Sequence, residues 1–265
     1  MTSQSDKQAQ EIVARRLCMA ADVEKYSRLD TPGQTVVQAD LVQVLEEAAV
    51  LSGLDRAGWA RQPQGDQEFA VLPLGTPEPV MLGAFIRHLA ARLDARNAGR
   101  APKDRMRLRL AIDMGVASPA ALGHSGPAPI AVARYLNAPQ VKKVLEGIGS
   151  TDLVVIVSGR LYEDVVKSRI QSLDLGQYVR VHIRQKEFSD YGWIHVPGHG
   201  ADELRPIVEA VSEPQKDSPP VGLGSDRHDH SQHVQEGVAF RGDVVGNVSF
   251  GLPSGQRKED VGESR

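Results

Sequence analysis

Two aspartates stand where carboxylates can do phosphate chemistry. Asp22 closes the apolar run Leu17-Cys18-Met19-Ala20-Ala21 and is followed by Val23-Glu24-Lys25-Tyr26-Ser27. Such a run reads as a buried strand, so Asp22 falls at a strand end, where the chain turns and backbone groups can cradle phosphate. Asp66 follows Gly65 and leads into Phe69-Ala70-Val71-Leu72, which reads as a carboxylate at a hairpin tip beside that strand. Magnesium takes one or two carboxylates and completes its shell with substrate phosphates, so this pair could hold two Mg²⁺ ions. Gly-Asp alone is a common turn, so the pairing carries the meaning.

The elements that position these residues follow from hydrophobic period and turn residues. A first strand occupies about 15–21. Thr31-Pro32-Gly33 opens a helix with Val37, Leu41, Val44, Leu45, Ala48 and Leu51 at helical spacing and Gly53 at its stop. Strands near 57–62 and 67–73 bracket Gly65-Asp66 as a hairpin. Thr76-Pro77 opens a second helix, with Leu82, Phe85, Ile86, Leu89 and Leu93 on one face and Asn97-Ala98-Gly99 at its end. Residues 106–114 alternate, predicting a strand covered on one face with Arg107, Arg109 and Asp113 pointing the other way.

A helix over 127–137 is interrupted by Pro139 and continues to Gly147. Leu153–Val157 reads as a buried strand, followed by a helix through Tyr162 and Val166. Val179, Val181 and Ile183 alternate with charged residues, and Trp193–Val196 pairs back as a hairpin. This order predicts an α+β fold: a ferredoxin-like βαββαβ core with an added strand-helix unit and a C-terminal hairpin.

Composition narrows the function classes. Of 265 residues, 41% are hydrophobic, enough for a normal core, and the net charge of −3 gives no reason to expect a nucleic-acid partner. No apolar run approaches membrane-spanning length, so no membrane partner and a cytoplasmic location are expected. The single cysteine, Cys18, reads as a buried strand residue.

The predicted organisation is a flexible N-terminus at 1–14, a folded domain at 15–200, a short helix at 201–212, a disordered linker at 213–233 and a tail at 252–265. Between the last two, at 234–251, lies a β-prone, Gly-rich segment. Its Val238-Ala239-Phe240 and Val248-Ser249-Phe250 repeat one pattern and suit in-register stacking. It resembles bacterial amyloid-like signalling motifs, a resemblance that implies an effector or receptor protein as partner; a docking strand or plain disorder is the other reading. The nearby His228, His230 and His233 read as part of a solvated stretch.

Asp22, Gly65-Asp66 and the element order together resemble the class III nucleotidyl cyclase homology domain over about 15–200. The resemblance implies a homodimer that converts a nucleoside triphosphate to a 3′,5′-cyclic monophosphate and pyrophosphate. It implies Mg²⁺ or Mn²⁺ on Asp22 and Asp66, and a triphosphate loop formed by the backbone of Val23, Glu24, Lys25, Tyr26 and Ser27. The second copy would supply Arg134 to the transition state, and Lys186 would bind the triphosphate. The position for a partnering asparagine holds Ile130, which can donate no hydrogen bond. The base-reading positions hold Gln62 and Gly123, neither an adenine nor a guanine signature. The alternative is a catalytically silent nucleotide-binding or interaction module.

Overall fold

The computed structural model describes residues 14–170 and 173–212. The linker, the β-prone segment, the tail and nearly all of the N-terminal stretch lie outside the described residues. The core is a mixed sheet in the order β2-β3-β1-β4-β6-β8-β7, with β5 paired to β4. Its strands are β1 (Ala14–Val23), β2 (Ala60–Gln64), β3 (Gln67–Val71), β4 (Leu108–Ala120), β5 (Gly123–Ser125), β6 (Leu153–Ser158), β7 (Tyr178–Gln185) and β8 (Phe188–His195). The block β2-β3-β1-β4 is the βαββαβ core; β6 joins parallel to β4, and the β7–β8 hairpin completes the sheet.

Helix α1 (Thr31–Leu51) starts where the Asp30 carboxylate accepts the Gly33 N–H at 2.9 Å, which satisfies one of the orphan donors of its first turn. Helix α2 (Ile86–Asn97) continues a π-turn at Met81–Phe85. Both lie on the face formed by Leu17, Met19 and Ala21 of β1 and Leu108, Leu110 and Ile112 of β4. Helices α3 (Pro127–Leu136), α4 (Pro139–Gly147) and α6 (Ala201–Ser212) cover the opposite face, packing on Cys18, Ala20 and Ala111. Between β6 and β7 a short helix, α5 (Gly159–Leu161), runs into a second π-turn at Tyr162–Val166.

Two expectations change. The strand expected at 106–114 runs over Leu108–Ala120 and is covered on both faces, so Ala111 and Asp113 are buried where one-sided burial was expected. Alternation of apolar and polar residues cannot report that α3 and α4 cross over the polar side. Leu51, placed on the apolar face of α1 by its spacing, is 51% exposed. Cys18 is a buried free thiol whose pKa burial pushes up to about 12, in keeping with an inert strand residue. Among the described residues no helix is long and apolar enough to cross a membrane.

His195 ends β8, stacked on Tyr178 at 4.8 Å, with Nδ1 3.3 Å from the Gln177 carbonyl oxygen. Burial lowers its pKa from 6.5 to about 4, so the folded state binds fewer protons than the unfolded state between those values. That contribution is present above about pH 6.5 and is lost as pH falls towards 4. The wild type should therefore lose more melting temperature over this interval than His195→Phe, which keeps a stacking ring and cannot titrate. Parallel melting curves would disprove this assignment.

Candidate active site

Strand pairing decides what surrounds Asp22. In β1 it lies opposite Gln67 of β3 on one side and Arg109 of β4 on the other. Its side chain shares the face of Cys18 and Ala20 (period two along the strand), is 9% exposed, and forms an ion pair between Oδ2 and Arg109 Nη2. Burial raises the Asp22 pKa to about 6; Arg109 pulls it down and the charge of Asp66 pushes it up. The two carboxylates are thus near enough for their charges to interact.

Asp66 occupies the turn between β2 and β3, half-buried, and its backbone carbonyl accepts the Val23 N–H at 3.0 Å, which ties the hairpin tip to the strand end. Gly65 beside it has φ +64°, a backbone region that glycine enters without steric cost. The hairpin is anchored from below. Glu68, buried on β3, pairs with the fully buried Arg56, which also reaches Glu46 at 3.3 Å.

The loop after Asp22 leaves the sheet at once. The Glu24 N–H donates to the Arg107 carbonyl at 2.9 Å, and the Glu24 carboxylate pairs with Arg107 at 3.0 Å and Lys25 at 3.2 Å. Lys25 takes a left-handed conformation (φ 60°), and Tyr26–Arg28 form one tight turn. The Tyr26 hydroxyl accepts from Gln38 Nε2 at 2.6 Å, while Ser27 is exposed. No group of three metal-ligating side chains exists among the described residues. Two interacting carboxylates nevertheless suit a divalent ion that takes its remaining ligands from substrate phosphates, and Arg109 is the cation that holds Asp22 meanwhile.

Gln62 and Gly123 come together within the chain. Gln62 Nε2 donates to the Leu122 carbonyl at 2.9 Å, and a Cβ at Gly123 would lie 1.1 Å from that nitrogen. The amide of Gln62 therefore fills the space that a side chain at 123 would need.

Arg134 and Lys186 stand apart from Asp22. Arg134 is half-buried on α3, and its carbonyl accepts from Gln185 Nε2 at 3.2 Å, which places the Lys186 turn beside the end of α3. Lys186 is exposed with φ 54°. Ile130, one helical turn before Arg134, is 55% exposed. The register shows how far this group is from the aspartates. Ala21, Leu110, Val155, His195 and Tyr178 form one row across the sheet, and β7 runs from that row away from Asp22. Lys186 lies eight positions beyond Tyr178, roughly 26 Å along the strand direction at about 3.3 Å per residue. The pair Asp22–Asp66 and the group Arg134–Lys186 thus lie at opposite ends of the sheet.

Arg109 was missed as a site residue. The alternation showed only that it pointed away from the apolar face; the β1–β4 register that sets it on Asp22 is a long-range pairing with no local signal.

No protein-family model matches the chain, and no curated protein sequence matches it. Solved structures do. The chain is similar to an adenylate/guanylate cyclase/hydrolase from Silicibacter pomeroyi, with TM-score 0.50 and 19% identity over 70% of this chain and 99% of that one. It is also similar to the guanylyl cyclase Cya2, with TM-score 0.50 and 11% identity over 72% of this chain and 95% of that one. The folded domain has the class III nucleotidyl cyclase fold. At these identities the likeness is one of fold.

Proposed function

We propose that the chain is a homodimeric nucleotidyl cyclase that converts a nucleoside triphosphate to its 3′,5′-cyclic monophosphate and pyrophosphate. The observation that carries this reading is the separation of the half-sites: Asp22 and Asp66 at one end of the sheet, Arg134 and Lys186 at the other. A head-to-tail pair of chains joins the first group of one copy to the second group of the other, and so completes two sites.

In each site the ribose 3′-oxygen bonds to the α-phosphorus, the bond from that phosphorus to the bridging oxygen of the β-phosphate breaks, and the hydroxyl proton leaves. Asp22 and Asp66 are the residues that would hold Mg²⁺ or Mn²⁺, whose chemistry there would be to lower the pKa of the 3′-hydroxyl and to neutralise phosphate charge. The loop Val23–Ser27 lies against the triphosphate. Arg134 of the second copy meets the charge that develops on the transferred phosphorus, and its Lys186 meets the phosphate tail. Gln62 offers the base an amide already anchored on Leu122, which supports an atypical base specificity.

Ile130 supports a second reading, a module that binds nucleotide without turnover. It sets an exposed hydrocarbon one turn before Arg134, where a donor would serve the transition state. Incubating the full chain with each of the four NTPs and Mn²⁺, with mass spectrometry of the products, separates the two. A cyclic monophosphate and pyrophosphate in equal amounts is the expected result, and Ile130→Asn should raise the rate, by up to about 10²-fold if the restored donor matches other preorganised ones. If neither protein yields cyclic product from any NTP, the silent module is the correct reading.

A further inference from the structure

Two cavities of about 290 and about 250 Å³ lie side by side between helix α2 and the neighbouring ends of β6 and β8. They share Arg87, Ala90, Pro197 and Gly198, so they form one groove, and together they fall within the ~300–1,000 Å³ of small-molecule sites. The groove is polar at one end and apolar at the other. Asp94 and Asp152 line the first cavity, and Leu82, Ile86 and Leu173 wall the second. The second also holds the rings of Tyr178 and His195, stacked at 4.8 Å.

Several polar groups along this groove have unused bonding capacity. Asp152 is 3% exposed; its Oδ2 accepts from Asn97 Nδ2 at 2.7 Å and from Arg105, while its Oδ1 is buried and has no partner. His195 is 8% exposed, and its Nδ1 lies 3.3 Å from the Gln177 carbonyl oxygen. A carbonyl only accepts, so the proton sits on Nδ1; burial keeps the ring neutral at pH 7 and leaves a lone pair on Nε2. Among the described residues that nitrogen has no partner. Arg87, where the two cavities meet, and Asp94 are exposed, and among the described residues neither is in an ion pair.

These unused groups define a ligand by its chemistry. It carries a cationic donor for Asp152 and Asp94, a carboxylate close by for the fork of Arg87, and an apolar body that fills the second cavity. That body ends in a neutral N–H or O–H for the lone pair of His195. We propose that the groove binds a free aromatic amino acid, with its ammonium group on Asp152 and Asp94, its carboxylate on Arg87, and its ring in the apolar cavity donating to His195 Nε2. The groove shares no residue with the aspartate pair or with Arg134 and Lys186, so the assignment stands or falls apart from nucleotide turnover.

The experiment is calorimetric titration of the full chain, without nucleotide, with L-tryptophan and three analogues. Tryptophan should bind at least about tenfold more tightly than tryptamine, which lacks the carboxylate, or indolepropionate, which lacks the ammonium group. It should bind roughly fivefold more tightly than its ring-N-methylated form, which cannot donate to His195. Asp152→Asn disturbs buried bonds to Asn97 and Arg105, so two milder variants carry the test. Arg87→Gln should weaken tryptophan binding by about tenfold and leave tryptamine unchanged. His195→Phe should bring tryptophan down to the affinity of the methylated form and leave that form unchanged. Arg184→Gln, exposed at the far end of β7, should change neither. No tryptophan binding up to millimolar concentration overturns the proposal. An affinity that any of the three analogues matches, or that neither Arg87→Gln nor His195→Phe lowers, overturns it as well.

Discussion

Asp22→Asn and Arg134→Ala should each lower cyclic-product formation by at least about 10²-fold, as loss of a preorganised charge at a reacting phosphorus does elsewhere. Mixed in equal amounts, the two inactive proteins should regain activity. In the proposed dimer each completed site would join Asp22 of one copy to Arg134 of the other, so a mixed dimer would have one site with both residues intact and one with neither. Random exchange makes half the dimers mixed, which predicts recovery of about a quarter of wild-type activity. The result depends on the sheet geometry, because the β7–β8 turn and the strand end at Asp22 lie at opposite ends of the sheet. No recovery after verified subunit exchange would mean that each site draws both residues from one chain, against the separation described above.

Arg56→Leu should be strongly destabilising. Arg56 is 1% exposed and Glu68, its partner, 4%. Its guanidinium also donates to the Val42 carbonyl at 3.3 Å and lies over the Trp59 ring at 5.6 Å. Removing the arginine strands a carboxylate in the interior, which costs about 3–5 kcal/mol when one partner of a buried pair is lost. For a domain of this size each kcal/mol lowers the melting temperature by about 2–4 °C, so a fall of roughly 6–20 °C is expected. Arg56→Leu combined with Glu68→Leu should recover most of it, since two apolar side chains leave no charge behind. A single variant that melts within a degree or two of wild type would show that the pair is not buried as described. The pair also bears on the site, since Glu68 stands two residues beyond Asp66 and holds the hairpin on α1.

Much of the scaffold was legible because its causes are local. The continuous run Leu17–Ala21 reads as a buried strand, and it is one, buried on both faces. The spacing of Leu41, Val44, Leu45 and Ala48 could only be one face of a helix, and these residues are all buried. Gly65-Asp66 declared its turn through glycine's tolerance of positive φ. Local pattern was weaker where two elements meet. The alternation of β4 was correct in period and incomplete in environment, because the helices that pack on Ala111 come from later in the chain.

The sequence by itself thus determined the order of elements, the strand end at Asp22 and the turn at Asp66. Each follows from residue type and short-range period. Only the tertiary structure decided that Arg109 sits on Asp22, that the Gln62 amide fills the space over Gly123, that Arg56 is buried under Glu68, and that Arg87 and Asp152 line one groove. These contacts join residues distant in sequence. They are set by strand register and by helices packed across a sheet, and register is an energetic choice made by the whole core rather than by any window of residues.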